Sequence, residues 1–332
     1  MLRRFITAAI VALLLAVGIP AVSASSQSSA NGSWMNTLNS SGDGPNIAAG
    51  LCLGASLDFS AASAARCVRQ TRPSTNTASR TATTADREVP RFQYAALGDS
   101  VASGNGLPEG NNLGDGVCDR STESYPYYIA AALDVSFIHV ACRGATMQNM
   151  LVSQSVIGPN PAPQLNSAFA AGTPELITIT AGANDARWQA VLLRCLRGAC
   201  GTNSDARTLQ TAFASLQNES QAALNEIAER SSGRAPQVIL TGYYNPIASC
   251  AGVHPRVTDD ELAWISDQLD NLNATLAAVA AEYSFATFVP INFTGHDLCS
   301  ADPWVQDTDD PAPLHPTATG QQAIAQTILA NL

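Results

Sequence analysis

The chain has 332 residues, of which 46% are hydrophobic, so it can form one large domain or two small ones around a sizeable core. The net charge is −10, and all 17 basic residues are arginine. An acidic chain without a basic cluster argues against nucleic-acid binding, because neutralisation of phosphates supplies most of that affinity.

The N-terminus has the organisation of a secretory signal peptide. Arg3 and Arg4 precede an apolar run, Phe5–Pro20, and the small residues of Val22-Ser23-Ala24 form a cleavage site. The alternative is a membrane anchor, but this run of 16 residues is shorter than the roughly 20 that a span needs. The sequence therefore predicts a signal peptide over residues 1–24, a secreted, extracellular protein, and no stable membrane span after cleavage.

Cysteine usage also favours an oxidising compartment. The chain has eight cysteines and no C-x-x-C pair, which argues against a zinc site, and the spacing alone leaves their pairing open. Residues 25–90 are rich in small polar residues and are interpreted as a linker or pro-segment, in which Cys52 and Cys67 can close a small loop.

Short apolar runs without polar alternation begin near residue 92, and this pattern is typical of strands buried on both faces. The predicted strands are Phe92–Leu97, Val135–Val140, Leu176–Thr180, Val238–Thr241 and Thr287–Ile291. Helical spacing lies between and after them. The predicted helices are Thr208–Arg230, one opening on the capping box Thr258–Glu261 and reaching Tyr283, and Ala318–Leu332.

Strands that alternate with helices pair in parallel, with helices on both faces of the sheet. The sequence therefore predicts an α/β domain over residues 91–332, with a five-stranded parallel sheet in a three-layer α/β/α sandwich. Functional sites in such sheets lie beyond the carboxyl ends of the strands.

Polar and small residues follow three of the predicted strands, and a histidine precedes the last helix. The four stretches are Gly98-Asp99-Ser100, Cys142-Arg143-Gly144, Gly182-Ala183-Asn184-Asp185 and Leu314-His315-Pro316. Each alone can be an ordinary turn or helix start. Together they suit acyl transfer, with Ser100 as nucleophile and His315 as its base. Ser100 N–H, Gly144 N–H and the Asn184 amide are the expected oxyanion donors.

These residues resemble the SGNH (GDSL-type) hydrolase family, whose four blocks they match as Ser100, Gly144, Asn184 and His315. The stretches ACRGAT, GHDLCSADPWV and LHPTATGQ resemble in particular the secreted actinobacterial GDSL lipases and esterases. The resemblance implies a flavodoxin-like sheet and a mechanism that needs no cofactor and no metal. It also implies three disulfides, Cys118–Cys142, Cys195–Cys200 and Cys250–Cys299, which leaves Cys52 and Cys67 to pair outside the domain.

One position departs from the family pattern. The family usually has an aspartate three residues before the histidine, and Ala312 stands there in this chain. Two groups can orient the imidazole instead: the backbone carbonyl of Ala312, which we favour, or the carboxylate of Asp310. Trp304 is a further candidate, for lining the acyl pocket.

The resemblance implies a serine esterase or lipase that hydrolyses carboxylic esters of small molecules or lipids, and we expect the protein to act as a monomer. Two alternatives remain open at this point. The same site could deacetylate carbohydrates or transfer the acyl group to another acceptor. Loss of the acid at position 312 could also mark a secreted binding protein on a degenerate hydrolase scaffold.

Overall fold

The computed structural model describes residues 93–107, 117–198, 200–231 and 233–332. The predicted signal peptide, the segment 25–90 with Cys52 and Cys67, and most of the loop after Leu107 lie outside the described residues. Among the helices of the described ranges, none is long and apolar enough to cross a membrane.

Five strands form one sheet in which every neighbouring pair is parallel. They are β1 (Tyr94–Gly98), β2 (Phe137–His139), β3 (Leu176–Thr180), β4 (Gln237–Thr241) and β5 (Ala286–Val289). Their order across the sheet is β2-β1-β3-β4-β5. The predicted α/β fold with a flavodoxin-like five-stranded parallel sheet is confirmed, because this order places β1 and β3 at the centre and reverses there.

Burial differs between the centre and the edges of the sheet. Every residue of β1 and β3 is buried, as expected for strands covered on both faces. The edge strands β2 and β5 are half-buried at most positions, so the prediction of full burial for all five strands is wrong for these two. Each edge strand has a neighbour on one side only, which leaves its other side less covered.

Seven α-helices connect or follow the strands within the described residues, besides a 3-10 helix at Met147–Met150. They are α1 (Ser100–Ser103), α2 (Tyr125–Leu133), α3 (Gln164–Ala168), α4 (Trp188–Cys195), α5 (Asn203–Arg230), α6 (Asp259–Ala281) and α7 (Ala318–Leu329). The helices α2 and α7 pack together, as do α5 and α6, and these two pairs supply the apolar covers of the sheet.

Capping boxes explain where the two longest helices begin. Thr258 and Glu261 exchange side-chain and backbone hydrogen bonds, which confirms the predicted start of α6. The helix α5 begins at Asn203, earlier than the predicted Thr208, because Thr202 and Asp205 form a second capping box. An aspartate in place of the usual glutamate or glutamine concealed this signal in the sequence.

The three predicted disulfides are all present: Cys118–Cys142, Cys195–Cys200 and Cys250–Cys299. Each lies in loops or at a helix end rather than within the sheet. Cys142 is two residues before Gly144, so the first of these bridges fixes a loop that follows β2.

Candidate active site

The nucleophile candidate lies at the turn between β1 and α1. Gly98 ends the strand with a φ of 136°, and a side chain there would place its Cβ 2.2 Å from the Thr180 carbonyl oxygen. Asp99 then caps the helix, with its carboxylate accepting the Val101 N–H at 2.8 Å. Ser100 is therefore the first residue of α1, half-buried at the carboxyl edge of the sheet.

His315 contacts this serine from a loop before α7. Its Nε2 lies 2.7 Å from Ser100 Oγ, and the imidazole is 9% exposed. Its Nδ1 lies 3.1 Å from the Pro313 carbonyl oxygen. A carbonyl oxygen can only accept, so Nδ1 carries the proton and Nε2 has a lone pair for the Ser100 hydroxyl.

The carbonyl that Nδ1 contacts at 3.1 Å is that of Pro313, which neither sequence-based prediction named, although the Ala312 carbonyl also acts to raise the pKa of His315. The Ala312 carbonyl accepts the backbone N–H of His315 at 3.1 Å. Asp310 is exposed, and its carboxylate accepts the Asp307 N–H at 2.7 Å. Leu314 adopts a φ of 66°, and this left-handed residue turns the Pro313 carbonyl towards the ring. Leucine rarely adopts that conformation, so spacing alone could not predict the turn.

The two remaining oxyanion candidates lie on neighbouring loops. Asn184 is half-buried, and its Nδ2 donates to the Ala145 carbonyl at 2.8 Å. The amide nitrogen carries a second proton, which remains for a ligand oxygen. Gly144 is exposed with a φ of 75°, a left-handed conformation that favours glycine. Asn184 lines the cleft beside Ser100 and His315, whereas Gly144 lies outside the lining of that cleft.

A buried tyrosine that the sequence analysis missed joins two of these loops. Tyr243 donates its hydroxyl to Asp99 Oδ2 at 2.6 Å and accepts the Ala183 N–H at 3.2 Å. Burial raises the pKa of Asp99 to about 6, although the Tyr243 hydroxyl and nearby backbone N–H groups act to lower it. Tyr243 comes two residues after the end of β4, and this place beyond a strand end is the sequence signal that marks it as a site residue.

A second carboxyl group, that of Asp185, follows Asn184 on the same loop. Asp185 accepts the Met147 N–H at 3.1 Å, which ties this loop to the segment just after Gly144. Burial raises the pKa of Asp185, and the nearby Glu219 carboxyl raises it further. The loops that carry Gly144 and Asn184 are thus joined by Asp185 to Met147 as well as by Asn184 to Ala145.

The wall of the cleft beyond Ser100 is largely apolar. The side chains that supply this wall are Trp188, Leu192, Tyr244, Pro246 and Leu314. The predicted Trp304 is not among the lining residues, because its indole stacks on the His296 ring with centroids 3.6 Å apart. An apolar wall beside a polarised serine suits the acyl chain of an ester.

One group of potential metal ligands occurs among the described residues: Cys250, Asp297 and Cys299. The two sulfur atoms form a disulfide with each other, so neither is a thiolate that could bind a metal. Asp297 accepts the hydroxyl of Ser249 at 2.8 Å and the Cys299 N–H at 3.0 Å. This group is a cross-linked loop anchor.

Comparison with known proteins identifies the family. Residues 96–323, which include Ser100, Gly144, Asn184 and His315, match the profile of the GDSL-like Lipase/Acylhydrolase family. The chain belongs to this family. A lipase of Streptomyces rimosus is 35% identical over 246 residues, covering 70% of this chain and 85% of that lipase. Lipase 1 of Streptomyces coelicolor is 33% identical over 240 residues, covering 69% of this chain and 82% of the relative.

Solved structures of GDSL-family enzymes superpose on the same part of the chain. The extracellular lipase of Streptomyces rimosus gives a TM-score of 0.58 at 29% identity, covering 72% of this chain and 99% of that one. A phospholipase A1 of Streptomyces albidoflavus gives 0.57 at 27% identity, covering 73% and 100%. The chain is therefore a carboxylic ester hydrolase of the GDSL family with the SGNH fold.

Proposed function

We propose that the protein is a secreted serine esterase or lipase that cleaves carboxylic esters through an acyl-enzyme on Ser100. The observation that carries the proposal is the 2.7 Å contact between Ser100 Oγ and His315 Nε2, within the apolar cleft. A hydroxyl becomes an effective nucleophile when a base of near-neutral pKa is placed to take its proton. The lipase and phospholipase names of the relatives support a lipid ester as substrate.

The proposed reaction has two halves. Ser100 Oγ attacks the ester carbonyl carbon while its proton passes to His315 Nε2, and the carbonyl oxygen becomes an oxyanion. The tetrahedral intermediate collapses, and the leaving alcohol takes the proton from Nε2. Water then attacks the acyl-serine with its proton passing to Nε2, and collapse releases the carboxylic acid and returns the proton to Ser100.

Three donors are proposed for the oxyanion: the backbone N–H groups of Ser100 and Gly144 and the Asn184 amide. The N-terminal position of Ser100 on α1 leaves its N–H outside the helical hydrogen bonds. Loss of one such donor typically costs about 10²–10³ in kcat.

The Pro313 carbonyl is proposed to do part of the work of the usual aspartate. A neutral carbonyl fixes the imidazole tautomer through Nδ1, but it stabilises the imidazolium less than a carboxylate would. This assigns the protein a Ser–His dyad with carbonyl assistance.

Export and organisation complete the proposal. Residues 1–24 are the signal peptide, residues 25–90 a linker or pro-segment, and residues 91–332 the catalytic domain, acting as a monomer outside the cell. The three disulfides and the extracellular Streptomyces rimosus relative support this location.

A fluorophosphonate probe tests the proposed nucleophile. We expect one adduct per folded chain by intact mass, mapped by fragmentation to Ser100 within the arginine-bounded peptide Phe92–Arg120. Heat-unfolded protein is the control and should not react. Absence of an adduct on folded protein would contradict the proposal and favour the binding-scaffold alternative.

The pH dependence tests the base. Burial lowers the pKa of His315, against the opposing effect of the carbonyls of Pro313 and Ala312, so the neutral imidazole persists to lower pH than usual. We expect the acid limb of kcat/KM to have its midpoint below the ordinary imidazole value of 6.5. The measurement is a pH profile with an uncharged alkyl ester.

The control variant is Asp99→Asn, which removes the neighbouring carboxyl whose pKa burial raises to about 6. The acid limb of the kcat/KM profile should persist in this variant. A wild-type midpoint above 6.5, or a limb that disappears in Asp99→Asn, would show that His315 does not set it.

A further inference from the structure

Buried glutamines surround the candidate site. Among the described residues, the buried glutamines are Gln154, Gln164, Gln306 and Gln321. Each donates its side-chain amide to a backbone carbonyl near Ser100, Gly144 or His315. Gln154 donates to Arg143, Gln164 to Gly98, Gln321 to Val101, and Gln306 to both Asn105 and Pro316. Such residues are mostly exposed in proteins, so this concentration at one place needs a physical account.

Gln306 makes the most contacts with the loop that carries His315. Its backbone N–H donates to the His315 carbonyl at 2.8 Å, and its own carbonyl accepts the Leu314 N–H at 3.0 Å. Its side-chain Nε2 donates to the Pro316 carbonyl at 3.2 Å, and its Oε1 accepts the Ala312 N–H at 3.3 Å. One residue therefore holds both sides of the histidine.

The same side chain reaches the segment that carries the serine. Gln306 Nε2 also donates to the Asn105 carbonyl at 3.0 Å, and the Asn105 N–H in turn donates to the Ser100 carbonyl at 3.1 Å. Gly106 follows, and a Cβ at that position would lie 2.5 Å from Gln306 Oε1, so the two segments are in close contact. A single buried amide thus links the turn after the nucleophile to the loop of the base.

We infer that Gln306 is a positioning residue that fixes the separation of Ser100 and His315, in the place of a charged third member. The inference rests on the function proposed above and deepens it. Leu314 holds the left-handed conformation that turns the Pro313 carbonyl towards the imidazole, and non-glycine residues keep that conformation when the surrounding structure fixes it. Gln306 supplies such contacts on either side of Leu314, at Ala312 and at His315.

The amide does this without a charge. The amide nitrogen of Gln306 donates to two carbonyls, and its amide oxygen accepts one N–H. Neither atom titrates. A carboxylate at the same position could accept from Ala312 but would face the carbonyl oxygens of Asn105 and Pro316. The link that Gln306 makes between the serine segment and the histidine loop therefore does not change with pH.

The first test is Gln306→Met, which keeps the length of the side chain and removes its hydrogen bonds. We expect kcat for an alkyl ester to fall by about 10- to 100-fold, since small misplacements of reacting groups cost that much. KM should change by less than about twofold, because the cleft wall is intact. The loosened loop should expose His315, so the acid limb of kcat/KM should move to higher pH.

The matched control is Thr178→Val, in the core of the sheet. Thr178 is fully buried and bonds the Tyr94 hydroxyl at 2.8 Å, so this variant also loses buried hydrogen bonds, away from the site. It should lose thermal stability and keep the wild-type kcat and acid limb. Gln306→Met with wild-type kcat and limb, or a control that reproduces its kinetic changes, would overturn the inference.

A second variant, Gln306→Glu, decides the matter if the first does not fold. Burial raises the pKa of a carboxyl, and the neutral acid can donate to one of the two carbonyls that Gln306 serves. We expect kcat of this variant to fall with rising pH, opposite to the wild type. A profile that parallels the wild type would overturn the inference. Wild-type protein without turnover or probe adduct would instead overturn the proposed function itself.

Discussion

Replacing Ser100 by alanine should lower kcat for ester hydrolysis by about 10⁴-fold or more, with little change in substrate binding. The substitution removes the atom that would form the acyl bond, while the cleft wall of Trp188, Leu192 and Tyr244 remains. Initial rates with a chromogenic alkyl ester measure the loss of kcat. The affinity for a non-hydrolysable ester analogue measures whether the cleft still binds substrate.

The matched control for this substitution is Ser103→Ala on the same short helix. Ser103 is fully buried and donates its hydroxyl to the Ser100 carbonyl at 3.2 Å, so it shares the helix but not the cleft. It should retain turnover. Ester hydrolysis at the wild-type rate by Ser100→Ala would exclude an acyl-enzyme on this residue.

The second large effect is expected at His315. Loss of the imidazole removes the base that lies 2.7 Å from Ser100 Oγ and the proposed proton donor to the leaving alcohol, so His315→Ala should lose a similar factor of about 10⁴ in kcat. The double variant Ser100→Ala/His315→Ala should be no slower than either single variant, because the two residues act as a unit.

His254→Ala is the control for loss of a histidine. His254 lies on the loop after Cys250 and outside the cleft lining, so its removal should leave kcat unchanged. If the loss in kcat of the Ser100→Ala/His315→Ala variant equalled the product of the two single-variant losses, the two residues would act independently. A Ser–His acyl-transfer mechanism does not permit that result.

The sequence predicted the fold because its signals are local and repeated. The apolar runs marked all five strands to within a few residues, and Leu176–Thr180 was placed at its observed bounds. Polar residues at strand ends located the loops of the site, since the carboxyl ends of parallel strands share one edge. The disulfide pairs, in contrast, came from family resemblance, because spacing alone left the pairing open.

Contacts between distant segments could not be predicted in the same way. Tyr243 reaches Asp99 across 144 positions, and Gln306 reaches Asn105 across 201. Nothing near Gln306 in the sequence marks it as different from an exposed loop glutamine. The Pro313 carbonyl escaped prediction for another reason: it depends on the backbone of Leu314, and side-chain patterns carry no signal for that.

The order in which the site assembles follows from the 215 positions that separate the serine from its histidine. Ser100 follows β1 directly, while His315 precedes α7, whose Gln321 donates to the Val101 carbonyl at 2.8 Å. During synthesis Ser100 emerges long before His315, its proposed base. The proposed mechanism therefore requires the segment that carries His315 and α7 to dock on the sheet before the serine becomes reactive. Under the proposed mechanism, a chain interrupted before His315 would carry Ser100 without its base and would not hydrolyse esters.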